Sequence, residues 1–457
     1  MPAHVFPHAA VASPHYLASS AGLAVLARGG NAVDAAVATN LVLAVVYPHT
    51  CGLGGDLFAI IWSEGELVGM NSSGRLPRNA ALIPTPALGR LKPSATSEAS
   101  GAASSPPTVP KRGIGSATVP GAVAAWQAML ARYGTMPLSE LAEPAVRLAR
   151  EGCVRAPGLE TATEAMSGLL ARDADAERIF LAEGPLVQAE LAQTLEDIDN
   201  FYAGSVAKNA PSPFAPEDFA EHRAEWVEPE RTEWRGLEVC EMPPNSRGYL
   251  ALRALDALEP LDGFTPDDAE WHQRQIRAIK GVDPAMDLGG DTIYLCVRDE
   301  DGMAVSLNQS LSGPFGSGVV IPGTGVLLHS RAEYFTPDEY VGGASLLRHT
   351  LAPAMALRDG EPQLIFGTMG GESQIQVHLQ LLTRIHVAGQ DVGDAIAAPR
   401  WRITRDALWQ EPGLPDLGGI PYPYAELAGH AHAIHVRAPR DVAAAFDPRS
   451  DGAALGY

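Results

Sequence analysis

The spacing of apolar positions divides the chain into a helical first part and a strand-rich second part. The run from Asn31 to Val46 is apolar on almost every side, which predicts a buried helix, and Asp34 stands where a capping box with Asn31 requires it. Apolar residues alternate on both sides of the turn-forming run 299–302, which predicts a β-hairpin starting near residue 291. Helices followed by paired strands predict a layered α+β or αββα architecture.

Two segments interrupt this pattern. The glycine-rich run from Cys51 to Asp56 lies between a helix and a strand-like run, whereas a dinucleotide-binding loop follows a strand and opens a helix. This order argues against nucleotide binding. Residues 82–116 are rich in Pro, Ser, Ala and Gly and lack aromatic side chains, which predicts a mobile surface insertion.

Composition and charge narrow the function classes. The 457 residues carry 54 acidic and 33 basic side chains, and the formal net charge of −21 argues against binding to nucleic acid or to an anionic membrane. The four cysteines lie far apart, which disfavours a disulfide framework or a zinc ribbon. Because the sequence has no apolar run of membrane-spanning length and no signal-peptide pattern, we expect a cytoplasmic protein.

Thr292 stands at the start of the predicted hairpin, directly after Gly289, Gly290 and Asp291. A threonine hydroxyl is a poor nucleophile unless a base assists it. One solution makes the threonine the first residue of a chain, so that its own α-amine accepts the proton. A precursor creates that terminus when the hydroxyl attacks the preceding carbonyl, and neighbouring glycines permit the strained backbone that this attack needs. On its own, this pattern also fits an ordinary strand threonine.

A series of longer motifs runs along the chain in a fixed order. They are GGNAVDAAVA (29–38), GLGGDLFAIIW (52–62), ATVPGAVAAW (117–126), YGTMPLSELAEPAVRLAREG (133–152), PPNSRGY (243–249), DTIYLCVRDEDGMAVSLNQSLSGPFGSGVVIPGTGVLLHSR (291–331), FGTMGGESQ (366–374) and DPRSDGAALGY (447–457). Together they resemble the γ-glutamyltranspeptidase family over nearly the whole chain, the insertion excepted.

The resemblance implies an α+β fold, a four-layer αββα sandwich of the N-terminal-nucleophile hydrolase type, made by one precursor that cuts itself. Thr292 matches the family nucleophile, and Asp291 matches the residue before the cut. Residues 1–291 and 292–457 would then be a large and a small segment of one intertwined domain.

The resemblance also implies the remaining chemistry. Ser310 matches the hydroxyl residue that supports the nucleophile, and Gly370 and Gly371 match the pair whose N–H groups form the oxyanion hole. It implies no cofactor, no metal, a small-molecule amide as substrate, and no nucleic-acid or membrane partner. Two fragments of one precursor would associate, and a homo-oligomer stays open.

The substrate-binding positions depart from the family pattern. Ser73 stands where the family has an arginine for the carboxylate of the γ-glutamyl group, and His349 and Thr350 replace its paired serines. Arg331 and Tyr334 replace the glutamine and aspartate that hold the amino group. These five are the candidate substrate-binding residues. A serine does not reproduce a bidentate arginine, so the departures argue against glutathione as the natural donor.

The arginines near these positions do not identify the donor. Arg75, Arg331 and Arg348 are alternatives for binding an anionic group, and the sequence does not decide which of them faces the substrate. The span from Tyr334 to Thr350 is short for a lid loop, and an open pocket favours hydrolysis over transfer to an amine.

We therefore predict an autocleaving amide hydrolase or acyltransferase of this family with an altered head-group pocket. The alternative within the family acts on small or glutaryl-like acyl amides, as oxamate amidohydrolases and cephalosporin acylases do. The alternative from another class is an unprocessed, non-catalytic binding protein. A metal site at His430, His432 and His435 is a further hypothesis, for which ordinary strand histidines are the simpler interpretation.

Overall fold

The apolar strand segments assemble into two sheets that face one another, and helices cover the outer side of each sheet. The computed structural model describes residues 2–80, 108–283, 290–341, 348–423 and 428–457. Within these residues each large sheet has seven strands, and neighbouring strands are antiparallel throughout both.

The strands are β1 (His4–Phe6), β2 (Ala10–Ser13), β3 (Asp56–Ser63), β4 (Glu66–Ser72), β5 (Glu225–Val227), β6 (Glu230–Trp234), β7 (Leu237–Glu241), β8 (Asp291–Arg298), β9 (Ala304–Ser312), β10 (Val320–Ile321), β11 (Val326–Leu327), β12 (Ala354–Arg358), β13 (Glu361–Thr368), β14 (Trp401–Ile403), β15 (Leu408–Gln410), β16 (Ile420–Pro421), β17 (Ala431–Ala438), β18 (Asp441–Ala445) and β19 (Ala453–Gly456).

The helices are α1 (Tyr16–Ala27), α2 (Ala32–Val46), α3 (Ala122–Tyr133), α4 (Leu138–Glu151), α5 (Pro157–Leu170), α6 (Ala174–Phe180), α7 (Ala189–Glu196), α8 (Ser205–Asn209), α9 (Pro216–Glu221), α10 (Tyr249–Asp256), α11 (Ala269–Val282), α12 (Pro337–Val341), α13 (Ser373–His386) and α14 (Val392–Ala397). Short 3₁₀ turns cover Ile114–Ser116, Ile198–Asn200 and Arg331–Tyr334.

The strand order interleaves the two parts of the sequence. The first sheet runs β19-β2-β8-β9-β3-β4-β5 and the second runs β1-β18-β17-β13-β12-β7-β6. Each sheet therefore contains strands from both sides of residue 291, the residue at which β8 begins. Among the described residues, β10-β11 and β14-β15-β16 form two smaller sheets outside this pair.

Three apolar clusters fill the space between the layers. Side chains such as Phe58, Tyr294, Met355 and Ile434 form the cluster between the two sheets. Helices α1 to α9 contribute to the cluster on the outer side of the first sheet, and α10, α11, α13 and α14 contribute to the cluster on the second. The predicted four-layer αββα sandwich is confirmed, because the two sheets pack on one another and helices pack on the outer side of each.

Helix α2 forms as its sequence predicts. The Asn31 side chain accepts hydrogen bonds from the backbone N–H groups of Val33 and Asp34, both at 3.0 Å, and the Asp34 carboxylate accepts the N–H of Asn31 at 3.0 Å. Every residue of the helix is buried, as an all-round apolar composition requires.

The predicted insertion at 82–116 falls only in part on residues that the structure describes. Residues 82–107 lie outside the described residues, but 108–116 are packed against the protein. Val109 packs against the apolar cluster formed by Ala332, Tyr334, Phe335 and Tyr340, and the Gly113 N–H donates to the Ser317 carbonyl at 2.8 Å. In this stretch, apolar side chains therefore contact a surface that is distant in sequence.

No helix in the described part of the chain is both long and apolar enough to cross a membrane. All four cysteines are buried and free, in agreement with the absence of paired spacing in the sequence.

Candidate active site

Thr292 is the second residue of β8 and lies opposite an irregularity in β9. Asp291 pairs with Ser312 and Ile293 pairs with Gln309, so two residues of β9, Ser310 and Leu311, face the single Thr292. Such a bulge re-aims side chains and often occurs beside active sites. Thr292 is 2% exposed, and its Oγ1 has no hydrogen-bond partner among the described residues.

The peptide carbonyl before Thr292 is held by a hydroxyl donor. Ser310 Oγ donates a hydrogen bond of 2.6 Å to the Asp291 carbonyl oxygen, and the Thr292 N–H donates to the Asp291 carboxylate at 2.9 Å. The backbone on both sides has left-handed φ angles, +146° at Gly290 and +78° at Ser312. A positive φ at a serine is costly, and such strain collects at functional sites.

A buried ion pair contacts the side chain of Ser310. Arg331 Nη2 donates to Ser310 Oγ at 2.9 Å, and Arg331 Nε lies 3.4 Å from Asp56 Oδ2. The antiparallel register places Asp56 of β3 directly opposite Ser310 of β9. Arg331 is 1% exposed and Asp56 is fully buried, so this ion pair is shielded from water.

Two histidines complete the group around Asp56, which we call the inner network (Asp56, His329, Arg331 and His349). His329 Nδ1 lies 3.3 Å from Asp56 Oδ2, and His349 Nε2 lies 3.0 Å from the same oxygen. Burial acts to raise the pKa of Asp56, but the two rings hold that pKa well below its ordinary value. Burial, and after it the charge of Arg331, lowers the pKa of His349 to about 3.

The tautomer of His349 follows from its contacts. Its Nδ1 accepts the N–H of Leu351 at 3.3 Å, so the neutral ring carries its proton on Nε2 and donates it to Asp56. The inner network therefore consists of one carboxylate, one guanidinium and neutral His349, with His329 on the same oxygen.

Gly370 and Gly371 lie between β13 of the second sheet and helix α13. Their φ angles are +120° and +59°, and no described residue accepts a hydrogen bond from either N–H group. Their carbonyls accept the first N–H groups of the helix, from Ser373 and Gln374, at 3.1 and 3.2 Å. Free N–H groups at a helix N-terminus can stabilise a developing oxyanion.

The glycine pair follows a strand of the second sheet, yet it lies close to Gly290, two residues before Thr292 in the first sheet. A Cβ built on Gly290 would lie 3.7 Å from the Cα of Gly371. Asn308 of β9 joins the two sheets, since its amide donates to the Ile293 carbonyl at 3.1 Å and to the Thr368 carbonyl at 3.0 Å. This cross-link fixes the strand that carries the threonine against the strand that leads into the glycines.

A cleft of about 510 Å³ opens beside Gly290 and Tyr334. The Tyr334 hydroxyl lies 2.8 Å from the place that a Cβ on Gly290 would occupy, so the tyrosine closes one side of this opening. The other lining residues are Lys111, Arg112, Gly313, Pro314, Glu333, Phe335, Thr336 and Arg348.

The remaining predicted substrate residues are divided between two places. Thr350 is 2% exposed, and its Oγ1 has no partner among the described residues. Ser73 accepts a hydrogen bond from Asn245 Nδ2 at 3.2 Å and lines a separate cleft of about 230 Å³ that also contains Arg75. The structure therefore brings Tyr334 to the cleft beside Gly290, while Ser73 lies on the smaller one.

Comparison with known proteins agrees with this geometry. The family model described as Gamma-glutamyltranspeptidase matches residues 18–286 and 272–457. The chain belongs to the γ-glutamyltranspeptidase family.

Relatives in this family cover the chain almost completely. The glutathione hydrolase-like YwrD proenzyme of Bacillus subtilis is 34% identical over 98% of both chains, and the oxamate amidohydrolase proenzyme of Klebsiella pneumoniae is 30% identical over 99% of both. The solved cephalosporin acylase from Bacillus halodurans is 28% identical, with a TM-score of 0.87 over 100% of this chain and 97% of that one. The chain is therefore an enzyme, an amide hydrolase or acyltransferase of the N-terminal-nucleophile type.

Several residues of this γ-glutamyltranspeptidase-family site escaped the sequence reasoning. Asp56 and Asn308 are polar residues in otherwise apolar strands. A polar residue in such a strand is a sequence signal that indicates a functional or buried polar site. Lys111 and Arg112 lie in the predicted insertion, and no local pattern indicates that they reach the cleft.

The histidine hypothesis for a metal site gains no support. The described residues contain no group of three or more His, Cys, Asp or Glu side chains arranged to hold a metal ion. His430 and His432 are buried, and burial lowers their pKa values to about 4 and about 3. His432 Nδ1 accepts the N–H of Asp447 at 3.3 Å, which is the role of a structural histidine.

Proposed function

We propose that the chain cuts itself between Asp291 and Thr292 and then uses Thr292 as the nucleophile of an amide hydrolase. The observation that carries the proposal is the contact between Ser310 Oγ and the Asp291 carbonyl oxygen, beside a buried and unbonded Thr292 hydroxyl. A hydrogen-bond donor on this oxygen polarises the carbonyl and stabilises the charge that attack would place there.

The cut proceeds in two steps. The Thr292 oxygen bonds to the Asp291 carbonyl carbon, the C–N bond breaks, and the hydroxyl proton ends on the Thr292 nitrogen. Water then hydrolyses the resulting ester, which frees the Asp291 carboxylate, the Thr292 hydroxyl and the Thr292 α-amine. The products are fragments of 291 and 166 residues that share both sheets.

The new α-amine then serves as the base for catalysis. It accepts the proton of the Thr292 hydroxyl as that oxygen attacks the substrate amide, and it returns the proton to the departing amine. The N–H groups of Gly370 and Gly371 stabilise the oxyanion, and water releases the acyl group from Thr292. Lys111, Thr336 and Arg348 at the rim of the cleft are exposed, and such access by water supports hydrolysis over transfer.

Arg331 has a positioning role in this proposal, in place of the substrate contact expected from the sequence. Its guanidinium is buried on Asp56 and donates to Ser310 Oγ, which orients the serine hydroxyl toward the Asp291 carbonyl. His349 likewise acts through Asp56. Arg331 and His349, two of the five residues expected to bind the substrate, therefore bind other side chains of the protein instead.

A denaturing gel tests the proposal. Wild-type protein should give two bands, and N-terminal sequencing of the smaller fragment should begin at Thr292. Thr292→Ala should stay one chain, and the matched Thr292→Ser, which keeps a hydroxyl, should still be cut. A wild-type protein that stays full length would contradict the proposal.

The donor proposed for this site does not depend on an α-amino group. The positions that hold that group in the family are the buried Arg331 and the phenol of Tyr334, and neither offers a carboxylate. Relatives named for oxamate and cephalosporin fit this donor class better than those named for glutathione. Hydrolysis rates for γ-glutamyl, glutaryl and oxamate amides would decide, and efficient γ-glutamyl transfer would contradict the proposal.

A further inference from the structure

An arginine of the motif PPNSRGY forms an ion pair with the residue that directly follows the glycine pair. Arg247 Nε lies 3.7 Å from Oε1 of Glu372, which comes after Gly371 in the chain. Arg247 Nη2 also forms an ion pair with Asp283 Oδ2. The three charged side chains are at most 13% exposed, so water screens both ion pairs only weakly.

We propose that Arg247 is a positioning residue, which holds the Glu372 carboxylate away from the N–H groups of Gly370 and Gly371. Those N–H groups then stay free for the oxyanion of the substrate. Arg247 acts through Glu372 and does not touch the substrate. This inference rests on the proposed function, because it concerns the oxyanion hole that serves the same threonine.

Glu372 stands where a carboxylate can bind the N–H groups at the start of a helix. It is the N-cap residue of α13, a position where side chains accept N–H groups and where the helix dipole favours negative charge. The Glu372 side chain makes no such capping bond. In a capping box, a glutamate reaches back to an N–H group three residues before it, and Gly370 and Gly371 lie within that range. A carboxylate bound there would compete with the oxyanion and oppose its charge.

The charged groups around Glu372 draw its carboxylate toward other parts of the protein. Arg247 does so at ion-pair distance, and Asp283 holds the same guanidinium from its other end. Arg402 of β14 is a further cation near this carboxylate, since burial lowers the pKa of Arg402 and the charge of Glu372 opposes that shift. The carboxylate is therefore committed to cations and not to the helix N-terminus.

The turn that carries Arg247 is fixed by backbone pairing. The Arg247 N–H donates to the His349 carbonyl at 2.8 Å, and the His349 N–H donates to the Asn245 carbonyl at 2.8 Å. Ser246 Oγ donates to the Leu351 carbonyl at 2.7 Å. This pairing joins the turn to a residue of the inner network, so the guanidinium is in place before a substrate arrives.

The ion pair of Arg247 with Glu372 joins the two parts of the chain. Arg247 precedes the cut after Asp291, and Glu372 follows it. The Asp291 carbonyl accepts its hydrogen bond from Ser310, and that contact does not involve the glycine pair. Loss of Arg247 should therefore slow turnover and leave the cut intact.

The first test measures kcat and KM for γ-glutamyl nitroanilide and glutaryl nitroanilide on the cut enzyme. Arg247→Gln should lower kcat by about tenfold to a hundredfold with KM nearly unchanged, because the oxyanion forms only in the transition state. The loss should be alike for both donors, since both form the same oxyanion. Arg298→Gln is the matched control, because Arg298 is also half-buried and donates to the carbonyls of His8 and Asp299 at the far end of β8. It should change neither constant.

A double variant separates this role from general support of the fold. Arg247→Gln with Glu372→Gln removes the competing carboxylate, so kcat should return to within about threefold of wild type. Glu372→Gln alone keeps the ion pair of Arg247 with Asp283 and should leave kcat close to that of wild type, which provides a test even if Arg247→Gln does not fold. A double variant as slow as Arg247→Gln, or a loss of about tenfold in Glu372→Gln, would overturn the inference.

A crystal structure of Arg247→Gln tests the same point without turnover. We expect the Glu372 carboxylate within hydrogen-bond distance of the N–H group of Gly370 or Gly371. A carboxylate that stays clear of both groups would overturn the inference. Because this measurement needs no cut chain, a wild-type protein that stays full length would contradict the proposed function alone, and the position of Glu372 would still decide the inference.

Discussion

The inner network and the cations of the cleft beside Gly290, which we call the outer cations (Lys111, Arg112 and Arg348), use the same kind of side chain in opposite ways. Arg331 is 1% exposed, paired with Asp56, and bonded to the serine that holds the Asp291 carbonyl. Arg348, only 17 positions later, is exposed and lines the cleft without an ion pair to a described carboxylate. A buried charge needs a fixed partner in the protein, because it has lost its hydration. Burial therefore commits Arg331 to protein contacts, whereas the exposed Arg348 is accessible to a substrate.

The largest expected effect comes from breaking the inner ion pair. In a Thr292→Ala background, which keeps one chain, Asp56→Asn or Arg331→Met should each lower the free energy of unfolding by about 3–5 kcal/mol, because each leaves a buried charge unpaired. The double variant should lose less than the sum of the two. Equilibrium urea unfolding measures all three.

The exposed pair of Arg75 with Glu225 provides the control for that experiment. Arg75→Met should cost at most about 1 kcal/mol, since the two side chains are 67% and 53% exposed. Equal losses for Arg75→Met and Arg331→Met would contradict the distinction between buried and exposed arginines.

Substitution of Ser310 should have the next largest effect, which is on the rate of self-cleavage. Ser310→Ala should slow conversion of the full-length chain by about 10²–10³-fold, because the Asp291 carbonyl loses its hydrogen-bond donor. Ser310→Thr keeps the hydroxyl and should cut at a rate close to that of wild type. Band densities over time after synthesis measure the rate, and normal cutting by Ser310→Ala would show that this contact is not needed.

Acid should weaken the inner network and leave the charge of the outer cations unchanged. The pKa of His349 is about 3 in the folded protein and about 6.5 when unfolded, so the unfolded chain binds more protons between these values. Stability should therefore fall as the pH drops below about 6.5, by about 2 kcal/mol at pH 5 from this residue alone. Urea unfolding at pH 7 and pH 5 tests this, and His349→Gln should show a smaller loss.

Salt should have the smallest effect, and only on the outer cations. Raising the ionic strength should increase KM for a carboxylate-bearing donor severalfold, because exposed charges are screened. The rate of the cut should stay constant, since the groups around Asp291 are buried. A KM that does not respond to salt would place the donor's carboxylate away from exposed charge.

Much of the fold could be predicted from the sequence because its signals are local. The capped helix α2 and the β8–β9 hairpin follow from apolar spacing and turn residues, and both formed as predicted. The family motifs indicated the αββα sandwich and marked Thr292, Ser310 and the glycine pair. The structure brings those residues together, with Gly371 beside Gly290 and Ser310 on the Asp291 carbonyl.

The division of roles among the charged residues could not be predicted. Arg331 ends one of the family motifs and Arg348 lies 17 positions beyond it, but no local pattern distinguishes a guanidinium buried on Asp56 from one at a cleft. Lys111 and Arg112 lie in a segment of low-complexity composition, yet their stretch packs on residues more than two hundred positions away.

The sequence by itself therefore determined the family and the layered fold, and it marked Thr292, Ser310 and the glycine pair as the candidate site, because those depend on residue type, local spacing and motif order. Only the tertiary structure decided which cations are buried and which face the cleft, and that Asp56 stands behind Ser310. The physical reason is that burial and charge pairing depend on strands and loops that are distant in sequence and meet only when the two sheets stack.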